Sequence, residues 1–76
     1  MDKTVSIDMS SHIAGWRQGV TDGEAHGNSA QELPAAEEIE ELASPTAPAL
    51  DDPKRNGWMA GYQKGFREGV KKALAS

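Results

Sequence analysis

Apolar residues recur every three or four positions in two stretches of the chain, one near each end. In the second stretch, one arc of a helical wheel holds Trp58, Met59, Tyr62, Phe66 and Val70. In the first stretch, the same spacing is seen for Ile13, Trp16 and Val20. An apolar stripe of this period is typical of an amphipathic helix. The pattern therefore predicts an all-α protein with helices over residues 11–26 and 53–74.

The two stretches are copies of one pattern, 46 residues apart. Residues 13–23 read IAGWRQGVTDG, and residues 59–69 read MAGYQKGFREG. The shared unit is x-A-G-(W/Y)-x-x-G-(V/F)-x-(D/E)-G. A match over eleven positions indicates duplication, or one packing role that both helices share.

Each predicted helix carries glycine at every fourth position. The helix-packing glycines are Gly15, Gly19 and Gly23 in the first copy and Gly61, Gly65 and Gly69 in the second. A glycine inside a helix costs about 0.8–1 kcal/mol relative to alanine, so we expect another backbone to approach these stripes closely. In one interpretation the two helices pack on each other as an antiparallel helical hairpin with pseudo-two-fold symmetry. In the other, a stripe receives a partner, either a second copy of the chain or a different macromolecule.

Local signals set the expected ends of these elements. The boundary residues are Ser10 or Ser11 and Gly27-Asn28 for the first helix, and Asp52-Pro53 for the start of the second. Residues 1–10 are predicted to be an extended tail, although Val5, Ile7 and Met9 alternate as in a short strand. Residues 27–52 are predicted to be a connector. Within it, the capping-box spacing of Ser29 and Glu32 and the position of Pro34 favour a short helix over residues 34–43.

Composition limits the chain to one small domain, residues 1–76, with a net charge of −4 and no cysteine. Residues 22–53 contain nine acidic residues and no Lys or Arg, whereas residues 54–76 contain six basic residues and one acidic residue. No apolar run reaches the roughly 18 residues of a membrane span, and the N-terminus lacks the apolar segment of a signal peptide. We therefore expect a cytoplasmic protein that does not enter a membrane.

No pattern of catalytic or metal-ligating residues is present. His12 and His26 are 14 residues apart and there is no cysteine, so their spacing is not that of a metal site. The glycines have helical spacing and no GK(S/T) follows them, so they do not form a phosphate loop. We expect no enzyme activity, no cofactor and no small-molecule substrate.

Binding to another macromolecule is the function that remains, and our leading hypothesis is a small regulator or inhibitor of bacterial or phage origin. It would occupy a surface on a larger bacterial protein. The predicted aromatic anchors are Trp16, Trp58, Tyr62 and Phe66. The acidic residues predicted to steer association are Glu37, Glu38, Glu40 and Glu41. A structural homodimer, in which all the aromatic residues are core, is an alternative.

A second alternative comes from a resemblance. The segment Gly61–Phe66, GYQKGF, with Gly69 behind it, resembles the G-Y-Q-x-G-apolar segment of the ribosome modulation factor family of bacterial hibernation proteins. The segment Ala14–Gly19, AGWRQG, resembles that family's W-L-G-G-W-R-E helix. The resemblance covers about 25 of the 76 residues. It implies two helices joined by a connector and binding to the small ribosomal subunit, with Arg17, Lys64 and Arg67 as nucleic-acid contacts. This chain departs from that basic family in its negative net charge.

Overall fold

Helices make up most of the chain in the computed structural model, which describes residues 9–30 and 32–75. The helices are α1 (Met9–Ala30), α2 (Ala36–Ala43) and α3 (Arg55–Ala75). No strand occurs in the described residues, so the predicted all-α class is confirmed for them. None of these three helices has the combination of length and apolar character that crossing a membrane requires. The tail predicted for residues 1–8 lies outside the described residues.

Helix α1 is longer at both ends than the sequence predicted. It begins at Met9, so Met9 and Ser10 are helical rather than part of an extended tail or a strand. It also continues to Ala30, and Gly27 does not end it. A Cβ atom at Gly27 would lie 2.8 Å from the Cβ atom of Ala73. The contact with α3 holds this glycine in the helix, and local sequence signals do not report such a contact.

The predicted capping box of Ser29 and Glu32 does not form, because Ser29 lies in the last turn of α1. Its hydroxyl donates to the carbonyl oxygens of Ala25 and His26, at 3.4 and 3.3 Å. Helix α2 begins at Ala36, two residues after Pro34, and ends at Ala43 as predicted. Helix α2 starts without a capping box. Its first turn contains Glu37 and Glu38, whose negative charges interact favourably with the positive end of the helix dipole.

Helix α3 begins at Arg55, two residues after the predicted start. The side chain of Asp52 accepts a hydrogen bond from the backbone N–H of Lys54 at 2.9 Å. Asp52 therefore stabilises the turn that leads into the helix, and does not cap the helix itself. The guanidinium of Arg55 donates to the carbonyl oxygen of Pro48 at 2.6 Å, which ties the start of α3 to the connector.

Helices α1 and α3 pack side by side, so the predicted pairing of the two glycine-striped helices is confirmed. They run in the same direction, however, and the antiparallel direction was wrong. A Cβ atom at Gly15 would meet Trp58, one at Gly19 would meet Tyr62, and one at Gly23 would meet Phe66. The residue numbers rise together along both helices, which defines a parallel pair. The connector between α1 and α3 brings the chain back to the end at which α1 begins.

The backbones of α1 and α3 touch along the glycine stripes. A Cβ atom at Gly15 would lie 2.8 Å from the carbonyl carbon of Trp58, and one at Gly65 would lie 2.9 Å from that of Trp16. These distances are too short for any side chain, so only glycine allows this approach. The glycine Cα–H groups point at carbonyl oxygens across the interface, in the manner of weak Cα–H···O hydrogen bonds. The predicted close approach of another backbone is thus confirmed.

The contacts between α1 and α3 have a pseudo-two-fold symmetry that matches the internal repeat. Gly15 lies against Trp58, and Gly61 lies against His12. Adding 46 to the residue number on α1 and subtracting 46 from the residue number on α3 converts the Gly15–Trp58 contact into the Gly61–His12 contact. This operation is called the 46-residue shift below. The same shift relates the contacts of Gly19 and Gly23 to those of Gly65 and Gly69. The pseudo-symmetry axis therefore runs along the helices, and each copy of the repeat supplies half of the interface.

The hydrophobic core lies where α2 covers α3. Its buried members are Ile39, Ala43, Trp58, Tyr62, Phe66 and Val70. The aromatic rings form a continuous row along α3: those of Trp58 and Tyr62 stack at 5.1 Å, and those of Tyr62 and Phe66 meet at 5.8 Å. Burial of this row offsets the unfavourable glycine content of α3.

Candidate functional site

Two hydrogen bonds link α1 to α3 through the aromatic and acidic positions of the repeat. The hydroxyl of Tyr62 donates to Asp22 Oδ2 at 2.6 Å. The indole Nε1–H of Trp16 donates to Glu68 Oε1 at 3.1 Å. The 46-residue shift converts one bond into the other. Sequence reasoning noted the paired W/Y and D/E positions but missed that each aromatic residue bonds the acid of the other copy.

Pseudo-symmetry gives the helix pair two equivalent grooves. The first, here called the α2 groove, is lined by Trp58, Tyr62, Phe66 and Val70 of α3 and by Gln18, Asp22 and His26 of α1. The 46-residue shift converts these positions into those of its counterpart, here called the Trp16 groove, namely His12, Trp16, Val20 and Glu24 of α1 and Lys64, Glu68 and Lys72 of α3. The two grooves share a backbone geometry and differ in what covers them.

Helix α2 packs on the α3 side of the α2 groove, and a cavity of about 220 Å³ remains beside it, lined by Asp22, Ala25, His26, Leu42, Tyr62 and Phe66. Ile39 and Ala43 of α2 are fully buried against it, and the side chain of Gln63 donates to the carbonyl oxygen of Ala36 at 3.2 Å. The ring of His26, at the α1 border of the groove, meets that of Phe66 with a centroid distance of 5.4 Å.

Three of the four predicted aromatic anchors therefore lie in the core. Trp58 is 8% exposed, Phe66 1% and Tyr62 not at all. A role in partner binding stays a prediction for these three residues, and it would require α2 to leave its groove.

The Trp16 groove is not covered by any of the described residues. Trp16 is 36% exposed and Ile13 beside it is 44% exposed, while Val20 is half-buried. The Nε1–H of Trp16 is bonded to Glu68 at an exposed position, and part of the indole surface is open to solvent. Trp16 is thus the one predicted aromatic anchor that reaches the surface of the described chain.

The edges of the Trp16 groove carry basic side chains. Lys72 Nζ pairs with Glu24 Oε2 at 3.3 Å, across the two helices. Lys64 lies one helical turn before Glu68, and Arg17 follows Trp16 on α1; both are exposed. Within residues 9–30 and 32–75, the side chains of Arg17 and Lys64 make no hydrogen bond and no ion pair. The groove therefore combines the apolar side chains of Trp16 and Val20 with two carboxylates that already have partners, Glu24 and Glu68, and with two positive side chains that have none in the described residues, Arg17 and Lys64.

The predicted nucleic-acid contacts do not all lie together. Arg17 and Lys64 flank the Trp16 groove, whereas Arg67 Nη2 donates to Gln63 Oε1 at 3.1 Å. Gln63 is in turn bonded to the first turn of α2. The structure therefore places Arg67 beside the α2 groove and divides the predicted basic set between the two grooves.

The predicted steering residues form an acidic ridge on α2. Glu37, Glu38, Glu40 and Glu41 are all exposed. Because the apolar residues of α2 face the core, its carboxylates point to solvent, and in the described residues none has a protein partner. The ridge is available to act on a basic partner at long range.

The hydroxyl of Tyr62 is the most strongly perturbed titratable group that the structure describes. Burial, followed by the hydrogen bond to Asp22 and the negative charge of that residue, raises the pKa of Tyr62 well above its usual value. The phenol therefore stays protonated and acts as a hydrogen-bond donor that joins α1 and α3. Within residues 9–30 and 32–75, no group of three or more metal-ligating side chains comes together.

Comparison with known proteins gives no assignment: no protein-family model, no curated protein and no solved structure matches this chain. The resemblance to ribosome modulation factor thus stays a prediction that rests on the two motifs quoted above. The geometry and charge of the two grooves are what remain to support a function.

Proposed function

We propose that this chain is a small, non-enzymatic regulator or inhibitor, bacterial or phage-encoded, that docks onto a larger bacterial protein in the cytoplasm through the Trp16 groove. The observation that carries the proposal is the difference between two equivalent residues. Tyr62 is fully buried beneath α2, whereas Trp16 is 36% exposed in the counterpart groove. Of the described residues, α2 covers one groove and none covers the other, which makes the Trp16 groove the candidate site for a partner.

The Trp16 side chain has the properties of a binding anchor. Tryptophan is enriched among the residues that dominate binding energy, because a single indole buries a large apolar area. The solvent-exposed hydrogen bond to Glu68 favours one orientation of this indole. Binding therefore requires little further ordering of the side chain, which reduces the entropic penalty of association.

The acidic ridge on α2 has a different role in this proposal. Exposed charges that are not buried at an interface act mainly on the rate of association and on partner choice. Glu37, Glu38, Glu40 and Glu41 would attract a basic patch on the partner. Their contribution should weaken as salt is added, whereas the apolar contact of Trp16 should persist.

A pull-down from bacterial lysate at low and high salt tests the proposal. The baits are the tagged wild-type chain, Trp16→Ala, and Leu50→Ala as a matched control, since Leu50 is an exposed apolar residue of the connector. We expect one non-ribosomal protein to be retained by the wild type and by Leu50→Ala at high salt, and to be lost from Trp16→Ala. Circular dichroism should show that Trp16→Ala is still folded.

Two outcomes contradict this proposal and favour the alternatives. Recovery of small-subunit ribosomal proteins and rRNA, released by salt and dependent on Arg17, Lys64 and Arg67, would favour a ribosome-associated factor. An empty pull-down together with a stable dimer in solution would favour a structural homodimer.

A further inference from the structure

The chain itself shows which kind of segment fits a groove of this shape. Helix α2 reads AEEIEELA, with Ile39 and Ala43 buried in the α2 groove and four glutamates directed to solvent. It is a short acidic amphipathic helix. The Trp16 groove has the same backbone framework, because the 46-residue shift maps one groove onto the other.

We propose that the Trp16 groove binds a short acidic amphipathic helix of a partner protein, seated as α2 is seated in its own groove. This inference rests on the proposed function and specifies the partner surface. The partner helix would place one apolar side chain against Trp16 and Val20. Its carboxylates would lie toward the basic edges of the groove.

Equivalent residues on the outer side of each groove support this placement. Met59 packs against the core, and the 46-residue shift puts Ile13 in its place. Gln63 donates to the carbonyl oxygen of Ala36 in the first turn of α2, and the shift puts Arg17 in its place. Arg17 would reach the first turn of a bound helix, where α2 itself carries Glu37 and Glu38.

The inner edges differ in charge, and the difference favours an acidic partner. The α2 groove is bordered on α1 by Gln18, whose equivalent at the Trp16 groove is Lys64. It is also bordered by His26, whose equivalent is Lys72. Lys72 is already paired with Glu24, which leaves Lys64 and Arg17 to meet carboxylates on a bound helix. Two other exchanges have the opposite sign, since Arg67 beside the α2 groove corresponds to Thr21, and Val70 corresponds to Glu24. The preference of the Trp16 groove for an acidic helix therefore rests on the side chains of Arg17 and Lys64.

A second copy of this chain is a poor source of that helix. Its α2 already buries Ile39 and Ala43 in its own groove. Lending α2 to a neighbour would expose Tyr62 and Phe66, which are now fully or almost fully buried. A helix from another protein carries no such penalty.

Nuclear magnetic resonance with a defined peptide tests the inference. The probe is a synthetic peptide of residues 32–47, ELPAAEEIEELASPTA, added to the full chain labelled with ¹⁵N. We expect the indole N–H signal of Trp16 and the backbone amides of residues 12–24 to shift and saturate. The indole signal of Trp58 should not move, because α2 stays in its groove.

Charge variants test the acidic specificity. We expect Arg17→Glu/Lys64→Glu to bind the peptide about tenfold more weakly than the wild type, since opposing charges become like charges. Lys54→Glu makes the same kind of change at an exposed residue before α3, outside both grooves, and should bind as the wild type does. A peptide with glutamine in place of its glutamates should also bind about tenfold more weakly.

Each remaining outcome overturns the inference. A shift at Trp58 would mean that the peptide replaces α2, and equal affinity for the glutamine peptide would mean that acidity is irrelevant. Shifts at Trp16 on concentrating the protein alone would make a second copy the occupant. Capture of a partner in the pull-down can depend on Trp16 even if the peptide does not bind and the charge variants change nothing. In that case only this inference fails. If Trp16→Ala leaves capture unchanged, the proposed function fails with it.

Discussion

Glycine at the contacts between α1 and α3 is required by the distance between two backbones. An alanine there would gain about 1 kcal/mol of helix propensity but would place a Cβ atom inside the neighbouring backbone. At Gly19 that atom would lie 2.8 Å from the backbone nitrogen of Phe66. Neither backbone can yield without separating the helices along their length, so the steric term should exceed the propensity term.

Gly19→Ala should therefore lower the free energy of unfolding by about 2 kcal/mol, as for an overpacked core. Urea unfolding followed by circular dichroism measures this change. Thr21→Ala is the matched control, because Thr21 is an exposed residue of the same helix. It should raise stability by a few tenths of a kcal/mol through helix propensity alone. If Gly19→Ala stabilises the protein as Thr21→Ala does, the backbones are not in contact at this position.

Tyr62 should make stability depend on pH in the alkaline range. Its pKa in the folded state is raised by burial and by Asp22, whereas an unfolded tyrosine ionises near pH 10. Above that pH the unfolded state loses its phenolic proton first. The contribution of Tyr62 is thus fully present below about pH 10 and is lost as pH rises toward the folded-state pKa.

Urea unfolding between pH 8 and 11, for the wild type and for Tyr62→Phe, tests this expectation. The wild type should lose more stability above pH 10 than the variant, in which lysine titration is the same but the phenol is absent. Because the chain has one tyrosine, its ultraviolet absorbance reports ionisation of Tyr62 alone. Ionisation near pH 10 in the folded protein would contradict the buried hydrogen bond.

At the residue scale, the sequence predicted the packing glycines but only part of the candidate site. Glycine at every fourth position, as at Gly15, Gly19 and Gly23, is enough to indicate a close contact with another backbone. That Trp16 would be exposed and Tyr62 buried could not be predicted, because the two residues occupy the same position of the repeat. The difference arises from α2, which covers one copy and not the other.

The helices themselves differ in how well local sequence defines them. The starts of α2 and α3 fell within two residues of prediction, since proline and acidic residues act locally. The end of α1 did not, because Gly27 is kept helical by its contact with Ala73. The direction of packing was also beyond local signals, because a stripe of every fourth residue is the same in either direction. A long connector permits both arrangements.

Helix α2 is held by a small number of apolar contacts, and these should carry most of its stability. Ile39 is fully buried on α3, whereas Leu42 is 40% exposed. Ile39→Ala should lower the free energy of unfolding by about 2–5 kcal/mol, as for a buried aliphatic residue. Leu42→Ala removes a similar side chain from the same helix and should lower it by less than about 1 kcal/mol.

Urea unfolding of the two α2 variants, compared with the wild type, measures both changes. Equal losses would mean that α2 does not present Ile39 to the core. An Ile39→Ala chain that also binds a hydrophobic dye would show that the aromatic row of α3 becomes accessible when α2 loosens.

For the whole molecule, parallel packing is what creates two equivalent grooves, of which α2 covers one and none of the described residues covers the other. In an antiparallel pair, the 46-residue shift would not relate the Trp16 groove to the α2 groove. The proposed binding role of Trp16 and the acidic helix inferred for its groove both depend on this direction. The repeat alone predicted a symmetric pair, but the axis along the helices follows from the contacts of Gly15 and Gly61.

Disulfide formation in the otherwise cysteine-free chain tests the parallel packing most directly. A Cβ atom at Gly27 would lie 2.8 Å from that of Ala73, so a small separation of the two helix ends brings the pair to the roughly 3.8 Å of a disulfide. We expect Gly27→Cys/Ala73→Cys to form an intramolecular disulfide under mild oxidation, seen by mass spectrometry and non-reducing electrophoresis. Gly27→Cys/Asn56→Cys, which joins the end of α1 to the start of α3, should stay reduced. Cross-linking of the second pair but not the first would show that the helices run antiparallel, and would remove the basis for two equivalent grooves.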